Sequence, residues 1–149
     1  MRMLLAALLM AALPALGHSY EKGDLQIRHP WARATPPGTS VGVGYLEIRN
    51  NGAQPDRLLS ATSPAARQVE MHITEHAGEV ARMRQLRAFE VPARERLSLE
   101  PSGAHLMLID VVQPLKKGDR FPMKLRFERA GEIDIEFEVQ EMGSRHSRH

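Results

Sequence analysis

The chain has 149 residues, with 20 Lys and Arg against 18 Asp and Glu, a formal net charge of +2 and no cysteine. A balance this close to neutral, with the basic residues scattered rather than striped, argues against a nucleic-acid partner. The lack of cysteine excludes disulfide staples and every metal centre that depends on a thiolate.

Residues 1–17 read as a signal peptide: a basic start (Met1-Arg2-Met3), an apolar run from Leu4 to Leu13 and a small-residue cleavage pattern, Ala15-Leu16-Gly17. The run falls short of the roughly 20 apolar residues that span a bilayer. No cysteine follows it, so lipidation is not expected. No further apolar segment of spanning length occurs. The expected mature protein is therefore exported to a periplasm-like space without a membrane span. It is one domain over residues 18–140, followed by a polar, flexible tail, residues 141–149 (EMGSRHSRH).

Within that domain the pattern is all strand. Residues 24–29 (DLQIRH) alternate weakly and read as an edge strand, and the proline-rich HPWARATPPG at 29–38 reads as an ordered turn or extended segment. Trp31, the only tryptophan, is expected to cover one end of the core. Residues 42–50 (GVGYLEIRN) alternate and end on the turn Asn50-Asn51-Gly52. Residues 58–62 are a weaker strand. Two runs, 69–74 and 80–86, flank a turn-like Ala77-Gly78 and read as a hairpin. Residues 97–99 and 104–109 follow, then two longer strands at 123–128 and 133–139, the last alternating Ile133, Ile135, Phe137 and Val139 with acidic residues. No segment after the leader carries a 3.6-residue apolar period. Seven to nine short strands punctuated by Gly and Pro predict an antiparallel β-sandwich or Greek-key barrel.

The chemistry concentrates on the hairpin and the 104–109 strand. A turn centred on Ala77-Gly78 places His72 directly opposite Met83, with Cβ atoms roughly 5 Å apart. Strand alternation puts His105 and Met107 on one face and Leu106 and Leu108 on the other. Two imidazoles and two soft thioethers form a donor set suited to Cu(I). The competing reading makes Met83 and Met107 gap fillers and both histidines incidental, and spacing alone does not choose. Met71 and Met123 read as core residues, His76 as a solvated turn residue and His29 as a structural hydrogen-bonder. No HExxH, Ser-His-Asp or phosphate-loop pattern supports an enzyme. A metal-free exported β-sandwich acting as a protein-interaction module is the alternative.

The order His72, Met83, His105-Leu106-Met107 resembles the ligand signature of the periplasmic copper chaperone family PCu(A)C, as do the HPWAR segment, GVGYLEIRN and the VEMH lead into the first ligand. The resemblance covers residues 23–139. It implies a cupredoxin-like barrel and Cu(I) held by His72, Met83, His105 and Met107. It also implies delivery of copper to the copper centre of cytochrome c oxidase subunit II, alongside a thioredoxin-like Sco protein. A His- and Met-containing tail in some relatives suggests a weak second site for Cu(II), here drawing on Met142, His146, His149 and the His18 amine.

Overall fold

The computed structural model describes residues 19–141. The predicted leader, His18 and the tail donors Met142, His146 and His149 lie outside the described residues. Among the described residues there are eleven strands and no helix, against the seven to nine expected. None of the structure offers a helix long and apolar enough to cross a membrane, among those residues.

The strands are β1 (Ser19–Lys22), β2 (Leu25–Arg33), β3 (Val41–Asn50), β4 (Asp56–Thr62), β5 (Ala66–Ala77), β6 (Val80–Leu86), β7 (Phe89–Val91), β8 (Arg96–Leu99), β9 (Ala104–Val111), β10 (Arg120–Phe127) and β11 (Gly131–Gln140). They hydrogen-bond in the order β6-β5-β9-β3-β2-β11-β10-β4-β7, with β1 added to β2 and β8 to β3. The all-β expectation holds, with one refinement. The sheet is mixed, because β11 runs parallel to β2 through the pairs Glu138 with Trp31, Val139 with Ala32 and Gln140 with Arg33.

Period-2 patterning makes the core. Along β10 and β11 every second residue is buried, and Leu125, Phe127, Ile135 and Phe137, with Leu58 of the adjacent β4, pack in one cluster with Ile27, Ile48, Leu106 and Leu108 from the other half of the sheet. Met71 and Met123 belong to this cluster, as expected. The two halves meet closely at Gly44, where an added Cβ would lie 3.0 Å from Phe137 Cε1. Glycine lets the backbone come that near without displacing the Phe137 ring.

The segment 24–29 differs from its reading, and the strand it starts runs on through the extended segment to Arg33. It is an interior strand, not an edge, because β2 pairs with β1, β3 and β11. Its alternation is weak because the strand is bulged. Arg28 faces Glu47 and Trp31 faces Tyr45, so three steps on β2 match two on β3. His29 takes up the extra residue at φ 50. The bulge inverts the parity of β2, so Ala32 joins the core while Trp31 turns to the opposite sheet face. There its ring lies 4.7 Å from that of Tyr45, tilted by 37°. Trp31 is buried, but it covers the outer face rather than an end of the core.

Candidate metal centre

The core needs Met71 inward, since it is 6% exposed and packed in the cluster. Alternation then sends Glu70 and His72 to the other face of β5, and the same logic on β9 buries Leu106 and Leu108 and turns His105 and Met107 outward. Pairing between these strands is antiparallel, with His72 opposite His105 and Glu70 opposite Met107. The two imidazoles are brought together, ring centroids 5.7 Å apart and planes inclined by 36°.

The hairpin register corrects the sequence reading. Ala77 pairs with Val80, leaving Gly78 and Glu79 as the two-residue turn, with Gly78 at φ 62. A positive φ at the first central position is what glycine supplies in a tight hairpin turn. His72 therefore faces Gln85, and Met83 faces Thr74. The slip is two residues, so Met83 keeps the face of His72 but is its diagonal neighbour, at a typical spacing of roughly 7–8 Å. The observed register sets Met71 opposite Leu86 and Ile73 opposite Arg84.

Burial grades across this face. His105 is 5% exposed, Met107 is partly buried and Met83, on the edge strand β6, is 59% exposed. Three of the predicted residues thus lie close together on β5 and β9, with Met83 on the same face at the solvent margin. Met83 is exposed like its strand neighbours Val80, Arg82 and Arg84, so burial in the core does not account for it.

Hydrogen bonds set the tautomers. His105 Nδ1–H donates to the Gly103 carbonyl at 3.0 Å, which leaves the lone pair of the neutral ring on Nε2. His72 Nε2 lies 2.8 Å from Glu70 Oε2; a carboxylate oxygen accepts, so Nε2 carries the hydrogen and Nδ1 the lone pair. That Nδ1 is buried without a hydrogen-bond partner. An unpaired buried acceptor costs about 1–3 kcal/mol unless something occupies it, and a metal ion is one such occupant. The donor set fits a soft monovalent ion; among the described residues no group of three or more His, Cys, Asp or Glu suits a harder one.

Glu70 escaped the sequence reading. It stands two residues before His72 in the VEMH lead, but a lone acidic residue on a strand looks like a solvated side chain until the register is known. The turn before β9 also gained a role: Gly103 O accepts Thr74 N–H at 3.2 Å, and Ser102 O accepts His76 Nε2–H at 3.1 Å. His76 is exposed, as expected, yet it ties the hairpin to the strand bearing His105 and Met107.

Fold and face together define a cupredoxin-like β-domain whose imidazole–thioether face is a candidate soft-metal centre. Residues 25–139 match the model of the family described as "Putative lipoprotein LpqE-like". The chain belongs to this family, the PCu(A)C family that its motifs resemble. It is 30% identical over 104 residues to the putative lipoprotein Lxx21020 of Leifsonia xyli subsp. xyli, covering 69% of this chain and 61% of that protein. The chain thus spans less than two thirds of that relative's length. Among solved structures it is similar to the copper-bound PCuAC domain from PmoF2, with a TM-score of 0.74 and 32% identity over 84% of this chain and 99% of that one. It is also similar to the Cu(I) form of DR1885 from Deinococcus radiodurans, with a TM-score of 0.64 and 26% identity over 87% of this chain and 85% of that one.

Proposed function

We propose that this protein is an exported copper chaperone that carries Cu(I) on His72, Met83, His105 and Met107. The single observation that supports this most strongly is the buried, unpartnered Nδ1 of His72 on the rung shared with His105. The copper found in the PmoF2 domain and in DR1885 supports the same reading. Two thioethers and two neutral imidazoles favour Cu(I) over Cu(II) because soft sulfur prefers the softer ion.

The graded burial suits a carrier. His72 and His105 are held by strand pairing and by their own hydrogen bonds, while Met83 stands exposed on a free sheet edge. An acceptor reaching the copper from that edge meets Met83 first, and stepwise exchange of one thioether for an acceptor ligand hands the ion over. The acceptor in this reading is the copper centre of cytochrome c oxidase subunit II, with a Sco-like protein beside it, and the compartment is the periplasm reached through the leader 1–17. Met142, His146, His149 and the His18 amine form a weaker site for Cu(II). Unchanged Cu(II) stoichiometry in His18→Ala would remove His18 from that site.

Anaerobic Cu(I) titration against a chromophoric competitor, with X-ray absorption on the loaded protein, tests the main site. One tight equivalent with mixed nitrogen and sulfur scattering, lost in Met107→Ala and His105→Ala, is the expected result. Absence of competitive binding would return the chain to a metal-free β-domain acting through protein contacts.

A further inference from the structure

We infer that Glu70 is the positioning residue and counter-charge of the copper site, acting through His72; this rests on the ligand reading above. The observation is a relay along one face of β5. Gln68 Nε2 donates to Glu70 Oε1 at 3.2 Å, and His72 Nε2–H donates to Glu70 Oε2 at 2.8 Å. Gln68, Glu70 and His72 are alternate residues of the strand and so share a face, on which they pair with Ile109, Met107 and His105 of β9. Both carboxylate oxygens are thus engaged, and the group stands on the rung of Met107, beside the His72 imidazole.

Two consequences follow from this placement. The first is orientation. A neutral imidazole offers a metal only the nitrogen that lacks hydrogen, and Glu70 takes the Nε2 hydrogen, so Nδ1 is left as the donor. Nδ1 is the atom that the fold buries without a partner. His105 reaches the opposite tautomer through a backbone carbonyl, which cannot be mutated, whereas His72 depends on a side chain. The second is charge. The four ligands are neutral and leave the bound ion its full positive charge in a partly buried site. The Glu70 carboxylate, itself 22% exposed, supplies a negative charge beside it. Metal-bound histidines generally carry such an outer partner, and its removal costs about 10–100-fold in metal affinity.

Two variants separate the consequences. Glu70→Gln keeps an acceptor oxygen for Nε2–H and removes the charge, whereas Glu70→Ala removes both. The first readout needs no copper: imidazole ¹⁵N shifts of the apo protein at alkaline pH report which nitrogen of each ring carries hydrogen. His72 is expected to hold the Nε2–H form in wild type and Glu70→Gln, and to become a tautomer mixture in Glu70→Ala, with His105 unchanged in all three. Competitive Cu(I) titration is expected to show weaker binding in Glu70→Gln and a loss of about 10–100-fold in Glu70→Ala. An unchanged His72 tautomer in Glu70→Ala, or Cu(I) affinity equal to wild type in both variants, would overturn the inference. If His72→Ala abolishes binding while both Glu70 variants bind normally, the role of Glu70 fails and the ligand set stands. If wild type fails to bind Cu(I), both fall together.

Discussion

At the scale of single residues, alternation carries most of the information and explains what was legible. Once Leu106 and Leu108 must be inside, His105 and Met107 must be outside, and no knowledge of neighbouring strands is required. The same holds for Met71, inward, and His72, outward. Glu70 was not legible, because its meaning comes from the 2.8 Å contact with His72 and from facing Met107 across the ladder. A methionine's role can also be tested residue by residue, because burial separates packing from ligation. Met83 is 59% exposed and Met123 is 1% exposed. Met83→Ala is expected to change unfolding free energy by no more than about 0.5 kcal/mol, as surface substitutions do, while weakening Cu(I) binding. Met123→Ala is expected to cost about 2–5 kcal/mol, the range for a buried side chain deleted from a core, with its effect on copper following only from unfolding. Urea midpoints beside competitive titrations read both. A large stability loss in Met83→Ala would restore the packing role.

At the scale of elements, strand positions were readable and registers were not. The runs 69–74 and 80–86 predicted a hairpin, but whether Ala77-Gly78 or Gly78-Glu79 forms its turn shifts every pair by two. A one-residue slip would have exposed the opposite face, whereas a two-residue slip preserves it. The predicted face therefore survived a wrong partner for His72. In β2 the bulge at His29 defeated the periodicity itself, since Ile27 and Ala32 both face the core although their numbers differ in parity. The hairpin tip projects past the end of its pairing with β9, which stops at Ile73 and Ala104. Beyond that point the bonds Thr74 N–H to Gly103 O and His76 Nε2–H to Ser102 O fasten it to the turn before β9. One exposed hydrogen bond contributes roughly 0.5–1.5 kcal/mol, so His76→Ala should barely lower global stability. It should instead speed amide exchange across the tip of β5 and the start of β6, including the strand that carries Met83, and raise the Cu(I) off-rate more than it changes the on-rate. Hydrogen exchange by mass spectrometry, with stopped-flow transfer to a chelator, measures both. Exchange rates identical to wild type would show that the backbone ladder alone holds the tip.

At the scale of the whole molecule, the candidate site is the outer face of the sheet whose inner face is the core, so the positions of its candidate ligands are tied to global stability. Strands β5 and β9 contribute Met71, Leu106 and Leu108 inward and the candidate ligands outward. With no disulfide available, packing and strand pairing carry the fold alone. Gly44→Ala tests that packing, since the new methyl meets Phe137 at 3.0 Å; a cost of about 1–3 kcal/mol is expected from overpacking. The aromatic pair on the outer face gives the molecule a pH signature. Burial raises the Tyr45 phenol above its ordinary value of 10.0, against the opposing pull of the Arg33 guanidinium, which stands 6.0 Å over the ring. The native state then keeps this proton at a pH where the unfolded chain has released it. Native protein binds more protons in that window, so stability falls as pH rises. The contribution is complete below pH 10.0 and is lost progressively from there up to the raised native value. Urea unfolding at about pH 8 and about pH 11 should therefore show a loss in wild type that Tyr45→Phe reduces, since phenylalanine keeps the ring against Trp31 and removes the titrating group. Equal alkaline losses in the two proteins would mean that the buried phenol contributes nothing to the pH dependence, and that the tilted aromatic pair stabilises the sheet by packing alone.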